Sequence, residues 1–243
     1  MAFGAQAQEL PVYEQYNFRV EYLEWRPTLT GEVQKSGAAG DGTLSDLVDD
    51  LGIADERTFE VRATLQLRPG TKLRGSYTPV DYRGDVVTGR NIRFGDVTFF
   101  RGTEVFTTVK GGIYAVDFQM DFAKGEWGYF GLKIGGRFSD ADVVLVAPAL
   151  GDRETEQFRV PIPTLGAAFR AYAGRLSISA DFAGITLGSR GHMYEGEAGV
   201  RLHLTDRLAG TAGYRIVKFK GQDDPDFVQY EMSGFTFGGE ISF

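Results

Sequence analysis

Two imidazoles, His192 and His203, are the only histidines among 243 residues, and cysteine is absent. The lack of thiols excludes disulfides, thiolate catalysis and cysteine-ligated metals. A histidine acts as a general base only beside a positioned partner. His192 has Ser189 and Glu195 nearby in the chain, whereas His203 sits two residues before Thr205 in what reads as a tight turn. Positions 192 and 203 are about 36 Å apart along an extended chain, too far to share a metal or form one dyad. No catalytic residue, resident metal or cofactor is therefore expected. An enzyme acting on lipid or peptide with His192 as its base stays open as an alternative.

The charged residues are richer material. Glu60, Arg62, Arg74, Asp117, Asp121, Lys133, Arg137, Arg170, Asp181, Glu195, Glu197, Arg201, Arg215 and Glu240 occupy the polar positions of short segments whose alternate positions are apolar. Opposite signs adjoin, as in Glu60 and Arg62 beside Arg74, or Asp117 and Asp121 beside Lys133 and Arg137. If these groups face one another away from bulk water they must pair, because an unpaired buried charge is strongly destabilising. Two readings follow: a structural ion-pair network that fills an interior, or the lining of a narrow conduit for small solutes. Two acidic stretches stand apart. Leu44, Leu47, Val48 and Leu51 at helical spacing, with Asp46, Asp49 and Asp50 between them, predict a short amphipathic helix. Gln222-Asp223-Asp224-Pro225-Asp226 is the second. Clustered carboxylates suit hard cations, but neither stretch has the spacing of a calcium loop, and solvated acidic surface is the plainer reading. A net charge of -7 leaves no basic stripe for nucleic acid.

Period-two alternation is what positions these charges. Phe59, Val61, Ala63, Leu65 and Leu67 oppose Glu60, Arg62, Thr64 and Gln66, and Pro69-Gly70 then turns the chain. Tyr114, Val116, Phe118, Met120 and Phe122 oppose Asp117, Gln119 and Asp121; Phe130, Leu132 and Ile134 oppose Lys133. The pattern returns around Phe169, Ile178, Val200, Tyr214 and Phe237, and more weakly at Phe18, Val20 and Tyr22. About ten strands are expected (eight or twelve as alternatives), in a closed antiparallel up-and-down barrel. Short turns fall at Pro69-Gly70, Lys124-Gly125, Ala173-Gly174 and Thr205-Asp206, and longer loops near 35–57, 84–103, 147–157, 184–193 and 220–226. Residues 9–243 read as one domain. Tyr22, Trp25, Tyr77, Tyr82, Trp127, Tyr129, Tyr172, Tyr194 and Tyr214 read as interfacial girdles of a membrane barrel.

A soluble barrel turns its apolar face inward, and a transmembrane barrel turns it toward lipid. Three features favour lipid. Charges of opposite sign can pair across a narrow lumen, and tight turns alternate with long loops as in transmembrane barrels. Phe235, Phe237, Ile241 and Phe243 are in phase on the last strand, and this ending resembles the assembly signal of outer-membrane barrels. Met1 to Gln8 carries Ala5-Gln6-Ala7, a small-x-small site that reads as the remnant of an export signal. Asp49-Asp50-Leu51-Gly52-Ile53, Asn91-Ile92-Arg93-Phe94-Gly95-Asp96-Val97-Thr98-Phe99 and Pro161-Ile162-Pro163-Thr164-Leu165-Gly166 resemble segments of an uncharacterised family of proteobacterial outer-membrane β-barrel proteins. The resemblance implies fold and location and no activity. The expectation is an outer-membrane barrel, structural or a narrow solute conduit, with both termini periplasmic. Its expected partners are membrane lipid, lipopolysaccharide and, during biogenesis, the barrel-assembly machinery. A docking module for a larger complex is the further alternative.

Overall fold

The computed structural model describes residues 11–243 apart from 39, 41 and 150, so the export remnant lies outside the described residues. Ten long strands follow one another: β1 (Phe18–Gln34), β2 (Thr58–Arg68), β3 (Thr71–Val87), β4 (Glu104–Gly125), β5 (Gly128–Ala147), β6 (Asp152–Ala173), β7 (Leu176–Thr186), β8 (Gly191–His203), β9 (Leu208–Asp223) and β10 (Asp226–Ser242). Each pairs antiparallel with its neighbours in sequence, and β10 closes on β1 through Arg19↔Ser242 to Gln34↔Phe227. The expected ten-stranded closed barrel is what forms.

Register sets its shape. Stepping across the ladders from Phe18 through Leu65, Leu73, Phe118, Ile134, Leu165, Gly184, Tyr194, Lys218 and Glu231 returns to β1 at Thr30, a stagger of 12 residues. That stagger over ten strands corresponds to a tilt of roughly 40°. Tight turns gather at one end, where Gly70 (φ 83°) and Gly174 (φ 61°) hold left-handed conformations that a side chain would disfavour.

In the half nearest those turns the apolar face points outward. Val61, Val116, Leu132, Ile134, Leu165, Ile178, Val200 and Phe235 are all exposed, while Glu60, Arg62, Asp117, Lys133, Arg170 and Arg201 are buried inside. Aromatic contacts fringe this band on both sides. Tyr22–Phe59, Tyr77–Tyr114, Phe182–Tyr194 and Tyr214–Phe235 lie toward the loops; Phe18–Phe243 and Trp127–Phe169 lie toward the turns. An outer wall of this kind is a lipid-facing surface.

The strands then run on beyond the band. β4 and β6 have 22 residues each, twice what a crossing requires, and at roughly 40° of tilt they rise about 55–60 Å. In this upper half the faces exchange roles. Arg26, Thr28, Thr30 and Glu32 of β1, and Arg153, Thr155, Gln157 and Arg159 of β6, are exposed. Leu29, Val33, Ile162, Met193, Val217 and Met232 form a buried apolar cluster inside. Water outside demands a polar outer wall, so the interior takes the hydrocarbon.

This extension corrects several expectations. The loops expected near 147–157, 184–193 and 220–226 shrink to connections at 148–151, 187–190 and 224–225, because polar residues taken for loop belong to solvent-facing strand. The helix expected at Leu44–Leu51 is instead a two-residue strand, Ser45–Asp46, paired with β1, followed by turns over 47–51. The Asp46 carboxylate accepts the amides of Val48 and Asp49 (2.8 Å each), and Gly52 (φ 66°) ends the run. Leu47 and Leu51 nevertheless face the barrel interior, while Leu44 and Val48 stay exposed. Among the aromatics expected in the girdles, Trp25, Tyr82 and Tyr129 are buried in the interior, and Tyr172 donates to the enclosed Glu14.

The limit of the band is testable. Ile134→Arg, at its centre, should cost about 2–4 kcal/mol of folding free energy in lipid vesicles. Gln157→Arg, also outward but above the band, should change it little. Equal penalties in urea titrations would contradict this boundary.

Candidate functional site

The lumen has three layers. At the turn end a one-turn 3-10 helix, Val12–Glu14, enters the barrel and places the Glu14 carboxylate in full burial. Lys72 (2.9 Å), Arg170 (3.1 Å) and Arg19 (3.4 Å) surround it, and the Tyr172 hydroxyl donates to it. Burial pushes this carboxyl up, but the Lys72, Arg19 and Arg170 charges outweigh it and hold Glu14 well below the usual carboxylate range. Tyr13 stacks on His203 with centroids 3.9 Å apart, and Arg19 lies 3.9 Å over the Tyr16 ring. His203, expected at a rim, is enclosed by this plug and contacts Ser177 Oγ at 3.1 Å.

Above the plug lies an ionic belt. Arg62 bridges Glu60 (2.7 Å) and Glu197 (3.0 Å), and Arg215 bridges Glu60 and Glu195 (2.5 Å each). Arg137 takes Asp117 through two nitrogens (2.8 and 3.1 Å) and Glu195 through Nε (3.0 Å). Arg74 and Lys133 share Asp181 at 3.1 and 2.9 Å. Arg201 joins Glu21 (2.9 Å) and Glu240 (3.0 Å), and Asp121 meets Lys72 at 3.1 Å. Each of the fourteen charges singled out from the sequence projects into the lumen and has an opposite charge within reach. Glu14, Arg19, Glu21 and Lys72 join the network beyond those fourteen. Arg19, Glu21 and Lys72 share the polar parity of their strands, whereas Glu14 precedes the first strand and no periodicity marks it. The void left in the belt is ≈ 30 Å³, room for roughly two waters.

The third layer is an apolar chamber of ≈ 180 Å³ in the upper half. Leu29, Val33, Val80, Val109, Val143, Phe158, Val160, Ile162, Met193, Phe219, Val228 and Met232 form its walls. Arg137 and Ser139 contribute polar atoms, and the Arg137 guanidinium is already committed to the belt beneath. The Tyr82 hydroxyl is turned to Met232 Sδ at 3.3 Å. Trp25, 1% exposed, sits at the boundary with the Arg215 guanidinium 4.8 Å from its ring. Leu47, Leu51, Ile53 and Phe94 reach in from the loops and cap the space. A cavity of roughly 150 Å³ lined by apolar side chains stays dry and accepts benzene. This chamber, partly open and mostly apolar in its lining, is somewhat larger in volume.

Asp46, Asp50 and Asp226 of the acidic loop stretches are engaged by protein groups. Asp226 receives Lys35 Nζ and the Ser36 amide (2.9 Å each), and Asp50 receives Arg90 Nε at 3.1 Å. The Arg90 guanidinium beside Asp50 holds its carboxyl below the ordinary value. The triplet of His192, Ser189 and Glu195 does not assemble. His192 packs with Tyr194 on the outer face of β8, while Glu195 points inward onto Arg137 and Arg215. Residues three apart on a strand lie on opposite faces.

No family model and no curated protein matches the chain. Among solved structures it is similar to the outer membrane protease OmpT from Escherichia coli, at 8% identity over 93% of this chain and 97% of that one, TM-score 0.64. It is also similar to the translocator domain of the autotransporter NalP from Neisseria meningitidis, at 12% identity over 93% and 88%, TM-score 0.53. At these identities the likeness is one of fold. Together with the lipid-facing band, it makes this a transmembrane β-barrel with the fold of Gram-negative outer-membrane barrels.

Two outcomes follow from the lower layers. Arg62→Ala leaves Glu197 without its cation and should cost about 3–5 kcal/mol in urea unfolding from vesicles. Arg26→Ala, which breaks an exposed pair with Glu24, should cost less than about 1 kcal/mol. For Glu14 the native pKa is depressed. Its contribution is therefore complete above the unfolded value of about 4.3 and is lost only as pH falls through the lower native value. Amide exchange at residues 12–17 should stay slow at pH 5, accelerate only in stronger acid, and be fast at either pH in Glu14→Gln.

Proposed function

We propose that this barrel captures a small uncharged apolar molecule at the cell surface, in the chamber, and that the ionic belt beneath closes the lumen instead of conducting through it. The observation that carries this reading is one lumen holding an apolar cavity of ≈ 180 Å³ directly above a charged layer whose void is only ≈ 30 Å³. A purely structural barrel gains nothing from an empty apolar space, because each missing contact there forfeits packing. A solute conduit needs a continuous polar path, and the upper lumen offers hydrocarbon walls. A charged ligand has no free counter-charge among the chamber walls and would meet the full cost of desolvation.

In this reading the turn end, with the Glu14 plug, faces the periplasm, and the extended half stands above the membrane among lipopolysaccharide. The outward face of β10, with Phe235, Phe237, Ile241 and Phe243, is the surface offered to the barrel-assembly machinery.

Fluorobenzene is a suitable probe, followed by ¹⁹F NMR on the barrel in lipid nanodiscs. A saturable bound signal is expected for the native protein, and its loss is expected in Val160→Trp, which fills the chamber while leaving partition into lipid unchanged. Planar bilayers containing the native barrel should show no discrete conductance steps. Identical spectra for the two proteins, or regular single-channel openings, would overturn this reading.

A further inference from the structure

The walls of the chamber are not equally complete. β6 pairs with β5 from Asp152↔Ala147 to Ala171↔Gly128, but with β7 only from Leu165↔Gly184 downward. Residues 152–164 of β6 therefore have no ladder partner on the β7 side among the described residues. β7 turns through Gly188–Arg190 into β8, whose first residue, Gly191, pairs with Gly221, and β9 ends at Asp223. The barrel rim is thus notched above the β7–β8 hairpin.

The chain explains why the ladder stops there. Pro161 and Pro163 have the same parity on β6 and no amide hydrogen to offer, and proline is tolerated in a sheet where its missing donor faces away from the ladder. An unpaired strand edge is otherwise a liability for aggregation, and these prolines blunt it. The notch borders the chamber: Phe158, Val160 and Ile162 line the cavity from the unpaired stretch itself, and Met193 and Phe219 line it from β8 and β9. Its lower corner is the rung Leu165↔Gly184↔Tyr194, at the level of the Phe182–Tyr194 girdle contact. Leu187, 52% exposed, forms the outer lip.

The axial mouth, by contrast, is laced shut. The hairpin Ile92–Phe94 and Val97–Phe99 lies across it with Ile92, Phe94 and Phe99 at most 1% exposed. Gly95 donates to the Lys35 carbonyl (3.0 Å), Ala38 to Asp96 Oδ1 (2.9 Å), and Thr43 to the Arg93 carbonyl (2.8 Å). Lys35 further ties β10 to β6 through Asp226 (2.9 Å) and Glu156 (3.5 Å).

From this asymmetry we infer that the chamber is loaded sideways, through the notch between β6 and the β7–β8 hairpin, by uncharged hydrocarbon molecules dissolved in the outer face of the membrane. The inference rests on the apolar-ligand reading above and adds its source and route. An apolar molecule is concentrated in the bilayer relative to water, and a portal opening at the girdle spares it the aqueous step that the capped mouth would impose.

Since the chain has no cysteine, paired cysteines can lock either route. Pro163→Cys with Thr186→Cys occupies the second rung beyond the end of the β6–β7 ladder at Leu165↔Gly184, and Ala38→Cys with Asp96→Cys fastens the lid. Each is bridged with a bis-maleimide in nanodiscs, and fluorobenzene exchange is measured by ¹⁹F saturation transfer before and after bridging. Bridging the notch should slow both entry and exit at least ~10-fold with the affinity kept, as expected for a blocked route to an intact site. Bridging the lid should leave both rates as they were. Slowing by the lid bridge alone, or by neither, overturns the lateral route while the chamber reading stands. Absence of saturable binding in the native protein overturns both.

Discussion

Period-two geometry gives every strand two faces, and the medium outside the wall decides which of them is apolar. Within the bilayer the outer face must be hydrocarbon, and what remains for the lumen is charge. Above the bilayer the outer face meets water, so hydrocarbon moves inside. β1 records the exchange along one strand: Phe18 and Tyr22 face lipid opposite Arg19 and Glu21, and further on Arg26 and Thr30 face water opposite Leu29 and Val33. The ionic belt and the apolar chamber are the two consequences of this single exchange.

The belt must satisfy a strict condition, since ions removed from water are stable only when paired and hydrogen-bonded. Carboxylates shared between cations meet it: Glu60 serves Arg62 and Arg215, Glu195 serves Arg137 and Arg215, and Asp181 serves Arg74 and Lys133. Such sharing ties together strands that are not neighbours, so the network braces the barrel across its width. Glu14 extends the same logic to the turn end, where a segment preceding β1 supplies the anion that Lys72, Arg19 and Arg170 need. The floor beneath the chamber is consequently rigid, charged and nearly filled.

A rigid floor and a laced mouth leave the side wall as the place where the chamber meets its surroundings. The ladder between β6 and β7 ends at the girdle, and Pro161 and Pro163 keep the freed edge from recruiting another strand. Fold similarity to a protease and to an autotransporter domain carries no function across. The same architecture serves unrelated tasks through its sites, and here the site is the chamber.

Much of the architecture was legible in the residues. Alternation identified ten strands, Pro69-Gly70 and Ala173-Gly174 marked tight turns, and parity assigned fourteen charges to one face, because these signals are local to a strand. The exchange of faces was legible in part. On β1 the apolar parity slips from Phe18, Val20 and Tyr22 to Leu23, Trp25 and Leu29, a phase shift that would have placed Trp25 inside instead of in a girdle. Solvent-facing Arg153, Thr155 and Gln157 read as loop because polar residues outside a membrane strand and polar residues in a loop look alike in one dimension. Only closure of the barrel decided the rest. It brought Glu14 to its cations 5, 58 and 156 residues away at Arg19, Lys72 and Arg170, left a cavity among side chains from eight strands and the loops, and ended one ladder short of its neighbours. Those features depend on stagger and on which side chains meet across the lumen, and such distances exist only once the last strand has paired with the first.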